Sequence, residues 1–234
     1  MLRILLALTL TVLPCLAGDY GVYKPDTYNF NSEPEEKILF ILDFSNSMNE
    51  SVRGERKVDM MLHTMQRLIP SINKSISVGL RVYGHKMGFT PIDACRASSL
   101  IVPLGSGSDI MGSLSRVKPR GMTPITYSLK QAVKYDFLGY KGKKHIILLT
   151  DGGENCDESP CKFVMELVKI RKDIFIDVIA FDISDADDLS QLQCTALVTR
   201  GQFYTANTAA ELLNSLNNSL AGKKEVEAKI ISNY

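Results

Sequence analysis

Neither sign of charge is in excess in this chain of 234 residues, which has 27 lysines and arginines against 26 aspartates and glutamates. The charges are interspersed, and no basic stripe of the kind that binds nucleic acid is present. Beyond residue 17 the sequence also lacks an apolar run long enough to span a membrane. The composition therefore argues against a nucleic-acid partner and against a transmembrane segment in the chain that follows residue 17.

Motifs of nucleotide-binding and hydrolytic enzymes are also missing. Neither a glycine-rich phosphate-binding loop nor a G-x-S-x-G nucleophile turn occurs in the sequence. The three histidines, His63, His85 and His145, are widely separated. A serine nucleophile needs a base within hydrogen-bond reach, so this distribution disfavours serine hydrolase chemistry.

The first seventeen residues have the pattern of a secretory signal peptide. A basic start with Arg3 precedes an apolar core at residues 4–13, and the segment ends in an alanine that suits cleavage. We expect a mature chain that begins near Gly18, has no net charge, and is exported to the periplasm or secreted. Lipid attachment at Cys15 is the alternative, but Pro14 stands where bacterial lipoprotein signals carry a small residue.

Four cysteines remain after the predicted cleavage, and an even number in an exported protein predicts two disulfides. The sequence leaves three connectivities open, although a bridge from Cys156 to Cys161 is reasonable because only four residues separate them. A zinc site with four thiolates is the alternative, but paired C-x2-C knuckles are absent and an oxidising compartment opposes it. The candidate disulfide cysteines are Cys95, Cys156, Cys161 and Cys194.

Apolar runs and helical periodicities alternate from residue 37 onward. Uninterrupted apolar runs predict buried strands, and apolar residues three or four positions apart predict amphipathic helices. The alternation predicts a doubly wound α/β fold, a mostly parallel central sheet with one antiparallel edge strand and helices on both faces. The predicted strands are residues 37–43, 76–83, 98–103, 143–150, 174–181 and 202–205, and the predicted helices are residues 58–69, 108–117, 124–137, 160–171, 187–199 and 209–220.

One domain at residues 37–221 accounts for all of these elements. No internal repeat or change in composition marks a second domain. Residues 18–36 mix aromatic, proline and acidic residues without periodicity, and we expect them to form an extended arm. Residues 222–234 are expected to form a frayed C-terminal tail.

The end of the first predicted strand carries a polar pattern that suits a metal ion. The buried run from Ile38 to Leu42 ends abruptly at Asp43, and Ser45 and Ser47 follow at alternate positions. In doubly wound sheets, ligands bind beyond the carboxyl ends of the strands. One carboxylate and two hydroxyls are oxygen ligands of the kind that Mg2+ prefers.

Two further polar loops are expected to reach the same edge of the sheet. Gly121-Met122-Thr123-Pro124 stands directly before a predicted helix, and Thr150-Asp151-Gly152 follows the second uninterrupted apolar strand. Because the strands at 37–43 and 143–150 are expected to be central neighbours, the three loops can meet at one point. The candidate metal-binding residues are therefore Asp43, Ser45, Ser47, Thr123 and Asp151, and no residue is assigned a catalytic role.

Other polar residues near these loops have structural interpretations. The carboxylate and the first serine of the first loop, taken singly, could cap the turn that follows them. Glu154 and Asn155 are expected to be solvated loop residues, and Asp182 and Asp185 are expected to cap a helix. A turn hydrogen bond is expected for His85.

The order of the three loops resembles the von Willebrand factor type A domain with its metal-ion-dependent adhesion site. The matching pattern is D-x-S-x-S, then a threonine in a G-x-T-P turn, then an apolar strand that ends in T-D-G, and it extends over residues 37–220. The Tyr83-Gly84-His85 turn and the cysteine-bearing loop after Asp151 look closest to exported bacterial members. Asn46 departs from the family pattern, in which glycine is usual between the two serines, but this change removes no oxygen ligand.

The resemblance implies a role for each residue of the candidate site. Ser45 and Ser47 would bind the metal directly, and Thr123 would bind it directly or through water. Asp43 and Asp151 would hold coordinated waters and orient the serines. The expected ion is Mg2+, with Mn2+ or Ca2+ as alternatives, and its open coordination position would accept an Asp or Glu side chain from a protein partner.

The predicted function is therefore an exported, metal-dependent protein-binding module for adhesion or assembly, and not an enzyme. A structural scaffold of an envelope complex, in which the metal only stabilises the fold, is one alternative. A metal-dependent hydrolase is another, with Ser45 or Ser47 as nucleophile or with Glu154 as base for a metal-activated water.

Overall fold

A six-stranded sheet lies at the centre of the computed structural model, which describes residues 36–231 and the side chains of residues 36–221. The strands in chain order are β1 (Lys37–Asp43), β2 (Ser51–Val52), β3 (Glu55–Arg56), β4 (Ser77–Tyr83), β5 (Ser98–Val102), β6 (Lys144–Thr150), β7 (Ile174–Phe181) and β8 (Phe203–Ala206). The sheet has the spatial order β5-β4-β1-β6-β7-β8. All neighbours pair in parallel except β5, which is antiparallel to β4. The predicted mostly parallel sheet with one antiparallel edge strand is confirmed.

Helices cover both faces of this sheet, as predicted. In chain order they are α1 (Lys57–Leu68), α2 (Pro91–Ala94), α3 (Ile110–Leu114), α4 (Ile125–Gln131), α5 (Pro160–Ile170), α6 (Ala186–Val198) and α7 (Ala209–Ile231). Successive side chains of β1 point to opposite faces. Ile38, Phe40 and Leu42 share a core with α1, α3 and α7, whereas Leu39 and Ile41 share a second core with α4, α5 and α6. Burial on both faces explains the uninterrupted apolar run of this strand.

Three predictions about the termini fall wholly or partly outside the described residues. The signal peptide at residues 1–17 lies entirely outside them, and the arm at residues 18–36 does so except for its last residue. The apolar pattern predicts that the last helix ends at residue 220, but α7 continues to Ile231. The predicted frayed tail is therefore helical up to that residue. Residues 221–229 are rich in alanine, lysine and glutamate, which are strong helix formers.

Short elements account for the other differences. The β2–β3 hairpin turns through Arg53 and Gly54, which both have positive φ, and its two-residue strands are too short to show a periodicity. The four-residue α2 is closed by a capping box between Thr90 and Asp93. The predicted helix at 124–137 changes hydrogen-bond pattern after α4, since residues 132–136 form a π-helix.

Two disulfides are present, in agreement with the prediction. Cys95 pairs with Cys156 and Cys161 pairs with Cys194, at Cα separations of 5.5 and 5.4 Å. The proposed bridge from Cys156 to Cys161 is wrong, because each of these cysteines lies beside a partner from a distant segment. This pairing also consumes all four thiols that a zinc site would need. Among the described residues, no helix is long and apolar enough to cross a membrane.

Candidate metal site

Backbone pairing joins the first and second polar loops at the carboxyl ends of the strands. β1 ends at Asp43, and Ser45 then pairs with Gly121 in an isolated parallel bridge. Asn46 N–H donates to the carbonyl oxygen of Gly121 at 2.9 Å. Because Thr123 follows two residues after this bridge, the threonine segment lies beside the two serines.

Two glycines make this close approach of backbones possible. Gly84 has a φ of +70°, and a Cβ at this position would lie 2.5 Å from the backbone nitrogen of Ser45. A Cβ on Gly121 would overlap the carbonyl oxygen of Lys86. The glycine of the Tyr83-Gly84-His85 turn and the glycine of the G-x-T-P turn are therefore required by the packing of the loops around the serines.

Asp43 is fully buried and organises the base of the site. Its Oδ1 accepts a hydrogen bond from Ser45 N–H at 2.6 Å, and its Oδ2 accepts from the hydroxyls of Tyr83 and Thr150, each at 2.9 Å. Burial, and then the charge of Asp151, raises the pKa of Asp43 from 3.8 to about 7. A cation close to this carboxylate would favour its ionised form.

A chain of hydroxyls connects the first loop to the third. Ser45 Oγ lies 2.9 Å from Ser47 Oγ, and Ser47 Oγ donates to Asp151 Oδ1 at 2.7 Å. Asp151 directly follows β6, the sheet neighbour of β1. Together with the bond from Ser45 N–H to Asp43, these contacts join four of the five candidate residues into one hydrogen-bonded cluster. The fifth, Thr123, lies beside this cluster.

Lys57, the first residue of α1, is a member of the site that the sequence analysis missed. Its ammonium lies 3.2 Å from Asp151 Oδ2, 3.1 Å from Glu50 and 3.3 Å from Asp182. Burial alone would lower the pKa of Lys57, but these three carboxylates outweigh it and raise the pKa. Asp151 Oδ2 is itself buried and accepts no hydrogen bond, so the ammonium is its charge partner.

A sequence signal for Lys57 exists in retrospect. It occupies the same helical stripe as Met61, Met65 and Leu68, all of which are buried core residues. A lysine at such a position is rarely buried unless it is paired. Its place in the stripe therefore predicts a carboxylate partner, although not which one.

Glu154 and Asn155 position the threonine segment. Both lie in a loop, as predicted, and Asn155 is exposed, whereas Glu154 is half-buried and is not a fully solvated residue. Asn155 Oδ1 accepts from Thr123 N–H at 2.7 Å, and Glu154 Oε2 accepts from Thr126 N–H at 2.7 Å. Burial raises the pKa of Glu154, against the opposing effect of the bond from Thr126. The Cys156 disulfide fixes the next residue of this loop.

Three other polar residues have different outcomes. Asp185 caps α6 by accepting from the N–H groups of its first turn, as predicted. Asp182 does not cap a helix through its side chain but pairs with Lys57. A turn hydrogen bond was predicted for His85, but its Nε2 lies 3.1 Å from Ser99 Oγ, so the bond joins the turn to β5. Burial, and then the charge of Lys86, lowers the pKa of His85 to about 4, so the ring is neutral near pH 7.

The donor set of this site fits a hard cation that retains several waters. It offers the hydroxyls of Ser45, Ser47 and Thr123 with two buried carboxylates, and it contains no sulfur or imidazole. In the described part of the chain, no group of three or more His, Cys, Asp or Glu residues could hold a metal. Hydroxyls and water would therefore supply most of the ligands. The assignment of the five residues to a metal stays a prediction.

Solved structures of similar fold support this picture of the architecture. Proximal thread matrix protein 1 of the mussel byssus, solved with a zinc-occupied metal-ion-dependent adhesion site, has a TM-score of 0.62 and 21% identity over 80% of this chain and 45% of its own. The pilus adhesin SpaC of Lactobacillus rhamnosus GG has a TM-score of 0.60 and 18% identity over 82% of this chain and 30% of its own. Similarity at these identities shows the fold alone.

Sequence comparison covers a similar part of the chain. The uncharacterized protein YwmD of Bacillus subtilis (strain 168) is 28% identical over 186 residues, which is 76% of this chain and 82% of the relative. The sequence profile of the von Willebrand factor type A domain matches residues 37–219. The match includes all five candidate residues and every strand of the central sheet. The chain therefore belongs to the von Willebrand factor type A domain family.

Proposed function

We propose that this protein is an exported binding module that captures a carboxylate of a protein partner at a Mg2+ site. Mn2+ or Ca2+ would suit the same oxygen ligands. The observation that carries the proposal is the hydrogen-bonded cluster of Asp43, Ser45, Ser47 and Asp151 at the carboxyl ends of β1 and β6. This arrangement places neutral oxygens and buried negative charge at the edge of the sheet where ligands bind.

The family resemblance gives each side chain a role. Ser45 and Ser47 would bind the metal directly, Thr123 would bind it directly or through water, and Asp43 and Asp151 would hold waters and orient the serines. Mg2+ bound here would supply a Lewis acid that attracts an Asp or Glu oxygen from outside. The carboxylate of Asp43 and the three carboxylates around the ammonium of Lys57 would leave this region with a net charge of about −3 when all are ionised. This negative charge would attract a divalent cation.

The similar proteins support a binding role outside the cell. The mussel protein holds zinc in its adhesion site, and SpaC is a pilus adhesin. The two disulfides of this chain fit an oxidising compartment. Domains of this family are typically binding modules, and the hydroxyls of Ser45 and Ser47 bond each other and Asp151 where a hydrolase would present a histidine base.

Calorimetric titration of the purified protein with Mg2+ and Mn2+ tests the site. We expect heat of binding and a rise in melting temperature. The gain in folding free energy should follow RT ln(1 + [L]/Kd). Asp43→Ala should abolish both effects, whereas Asp187→Ala, which removes an exposed carboxylate near the same rim, should change neither. The absence of heat and of a melting shift at millimolar metal would reject the proposal.

A further inference from the structure

A basic cleft of about 380 Å³ borders the candidate metal site. Its walls include Arg116, Lys118 and Arg120 from the segment between α3 and α4, with His85 from the turn after β4 and Ile101 from β5. The three cationic side chains are exposed. We define these five residues as the basic cleft.

The positive charge of the cleft is not compensated. Residues 115–121 contain three cationic residues and no acidic residue. Within residues 36–221, where side chains are described, none of Arg116, Lys118 and Arg120 has an ion-pair partner or a side-chain hydrogen bond. Some other surface cations are paired, for example Arg56 with Asp59 and Lys130 with Glu158. Unpaired cations that line a concave surface favour an anionic ligand.

The cleft is continuous with the metal-binding loops through the backbone. Arg120 N–H donates to the carbonyls of Phe44 and Gly84, at 3.1 and 3.0 Å. The next residue, Gly121, is the one that pairs with Ser45. A polypeptide that reaches the serine loop can therefore extend directly into the cleft.

His85 contributes a second sign of an absent ligand. Its Nδ1 is buried and has no hydrogen-bond partner, while Nε2 is occupied by Ser99. A buried polar nitrogen without a partner carries a desolvation cost. A ligand group in the cleft could satisfy this nitrogen.

Exposed apolar side chains favour a protein over a polyanionic glycan as the occupant. The loop that begins at His85 also carries Met87, Phe89 and Ile92, and Phe89 is fully exposed. The capping box of α2 and the Cys95–Cys156 disulfide hold this loop in place. A protein segment can present apolar side chains to the loop and acidic side chains to the cleft, which a glycan cannot do.

We propose that the basic cleft binds a second acidic stretch of the same protein partner that supplies a carboxylate to the metal, an inference that rests on the proposed function. The partner segment carries several Asp or Glu residues with apolar residues close by. Metal coordination fixes one carboxylate, and the cleft selects the partners whose neighbouring residues are also acidic. The cleft thus determines specificity, since a single carboxylate is common to most protein surfaces.

Nuclear magnetic resonance titration with a tetraglutamate peptide in EDTA tests the cleft independently of the metal. We expect amide shift changes concentrated at residues 85, 116–118 and 120. The double variant Arg116→Glu/Lys118→Glu should weaken the peptide affinity about tenfold or more. The control Arg67→Glu/Lys74→Glu reverses two exposed, unpaired cations in α1 and before β4, and should change the affinity less than about twofold.

The outcomes separate the two proposals. Tetraglutamate shifts at the cleft without any Mg2+ binding would overturn the proposed metal function and support the cleft. Mg2+ binding without tetraglutamate shifts, or shifts that the Arg116→Glu/Lys118→Glu variant retains, would overturn the cleft alone. A heparin tetrasaccharide that shifts the same amides with equal or higher affinity would overturn the assignment to an acidic protein segment.

Discussion

Replacing Asp43 by asparagine tests the electrostatic basis of the site. This carboxyl group is fully buried, and burial followed by the charge of Asp151 raises its pKa from 3.8 to about 7. The unfolded chain therefore loses the proton at about pH 3.8, whereas the folded chain keeps it to about pH 7. Because the unfolded state binds fewer protons in this window, the folding stability of the metal-free protein falls as the pH rises through it.

The magnitude follows from the two pKa values. Each pH unit between the two pKa values lowers the folding stability by about 1.36 kcal/mol, so ionisation of Asp43 costs the folded protein about 4 kcal/mol. Asparagine has the shape of the protonated acid, and its oxygen can accept the Ser45 N–H. Its amide can donate to the Thr150 hydroxyl, whose hydrogen can then point to the Gly152 carbonyl 2.8 Å away. The Tyr83 hydroxyl loses a charged acceptor, which offsets about 1 kcal/mol of the gain.

Urea denaturation in EDTA between pH 4 and pH 8 measures this effect. We expect Asp43→Asn to equal the wild type within about 1 kcal/mol at pH 4 and to exceed it by about 3 kcal/mol at pH 8. The lowered pKa of His85 changes the folding stability in the opposite direction. Stability rises from about pH 4 to 6.5, because the unfolded chain loses its extra proton in this range. This contribution is common to both proteins and cancels in their difference.

Mg2+ reverses the ranking of the two proteins. At 1,000 times the Kd, the metal should stabilise the wild type by about 4 kcal/mol and leave Asp43→Asn unchanged. If the free energies of unfolding of the two proteins change in parallel from pH 4 to pH 8, ionisation of the buried Asp43 has no cost and the reasoning is refuted. A variant that gains stability and also binds Mg2+ as tightly as the wild type would separate the buried charge from the metal site.

Three further perturbations address the charge, the disulfides and the glycine turn. Lys57→Met should destabilise the metal-free protein by about 3 kcal/mol, because Asp151 is left buried and unpaired, whereas Lys57→Arg should retain most of the stability. Thermal melting with and without Mg2+ measures both variants. A wild-type melting temperature for the methionine variant would contradict the ion pair between Lys57 and Asp151. Removing either disulfide should cost about 4 kcal/mol by the chain-entropy relation for separations of 61 and 33 residues. Only the Cys95→Ser/Cys156→Ser variant should also weaken Mg2+ binding, because that bond lies next to Asn155, and equal Mg2+ affinities in calorimetry would contradict this role of the loop. Gly84→Ala should abolish Mg2+ binding. Gly107 has a similar positive φ but open space around it, so Gly107→Ala should only reduce the free energy of unfolding by about 1 kcal/mol. Equal effects of the two changes on metal binding would show that Gly84 is not needed for the close approach of Ser45.

The order of strands and helices was accessible from sequence because burial and periodicity are local properties. β1 and β7 have the predicted bounds, since a strand buried on both faces is mostly apolar. Asp177 interrupts the apolar run of β7, and it accepts hydrogen bonds from Gln202 N–H and the Ser219 hydroxyl. The long helices differ from prediction by one or two residues at most ends. The exceptions are α7, whose final turns are specified by helix propensity and not by an apolar face, and the β2–β3 hairpin, whose strands are too short for any pattern.

The proximity of the five candidate residues could be predicted from sequence, whereas their supporting contacts could not. Asp43, Ser45 and Ser47 stand at the end of a buried strand, and a loop in that position reaches the ligand-binding edge of a parallel sheet. Glu154 and Asn155 look like ordinary loop residues, because their hydrogen bonds go to backbone groups about thirty positions away.

The amino-acid sequence by itself determined the fold class and the number of disulfides, and it predicted the five residues of the candidate site. Only the tertiary structure decided which cysteines pair, which carboxylates surround Lys57 and that an unpaired basic cleft adjoins the serine loop. The physical reason is the range of the interactions. Alternation and capping act over a few residues and leave a pattern in the chain, whereas ion pairs and disulfides join segments whose proximity depends on how the whole sheet is assembled.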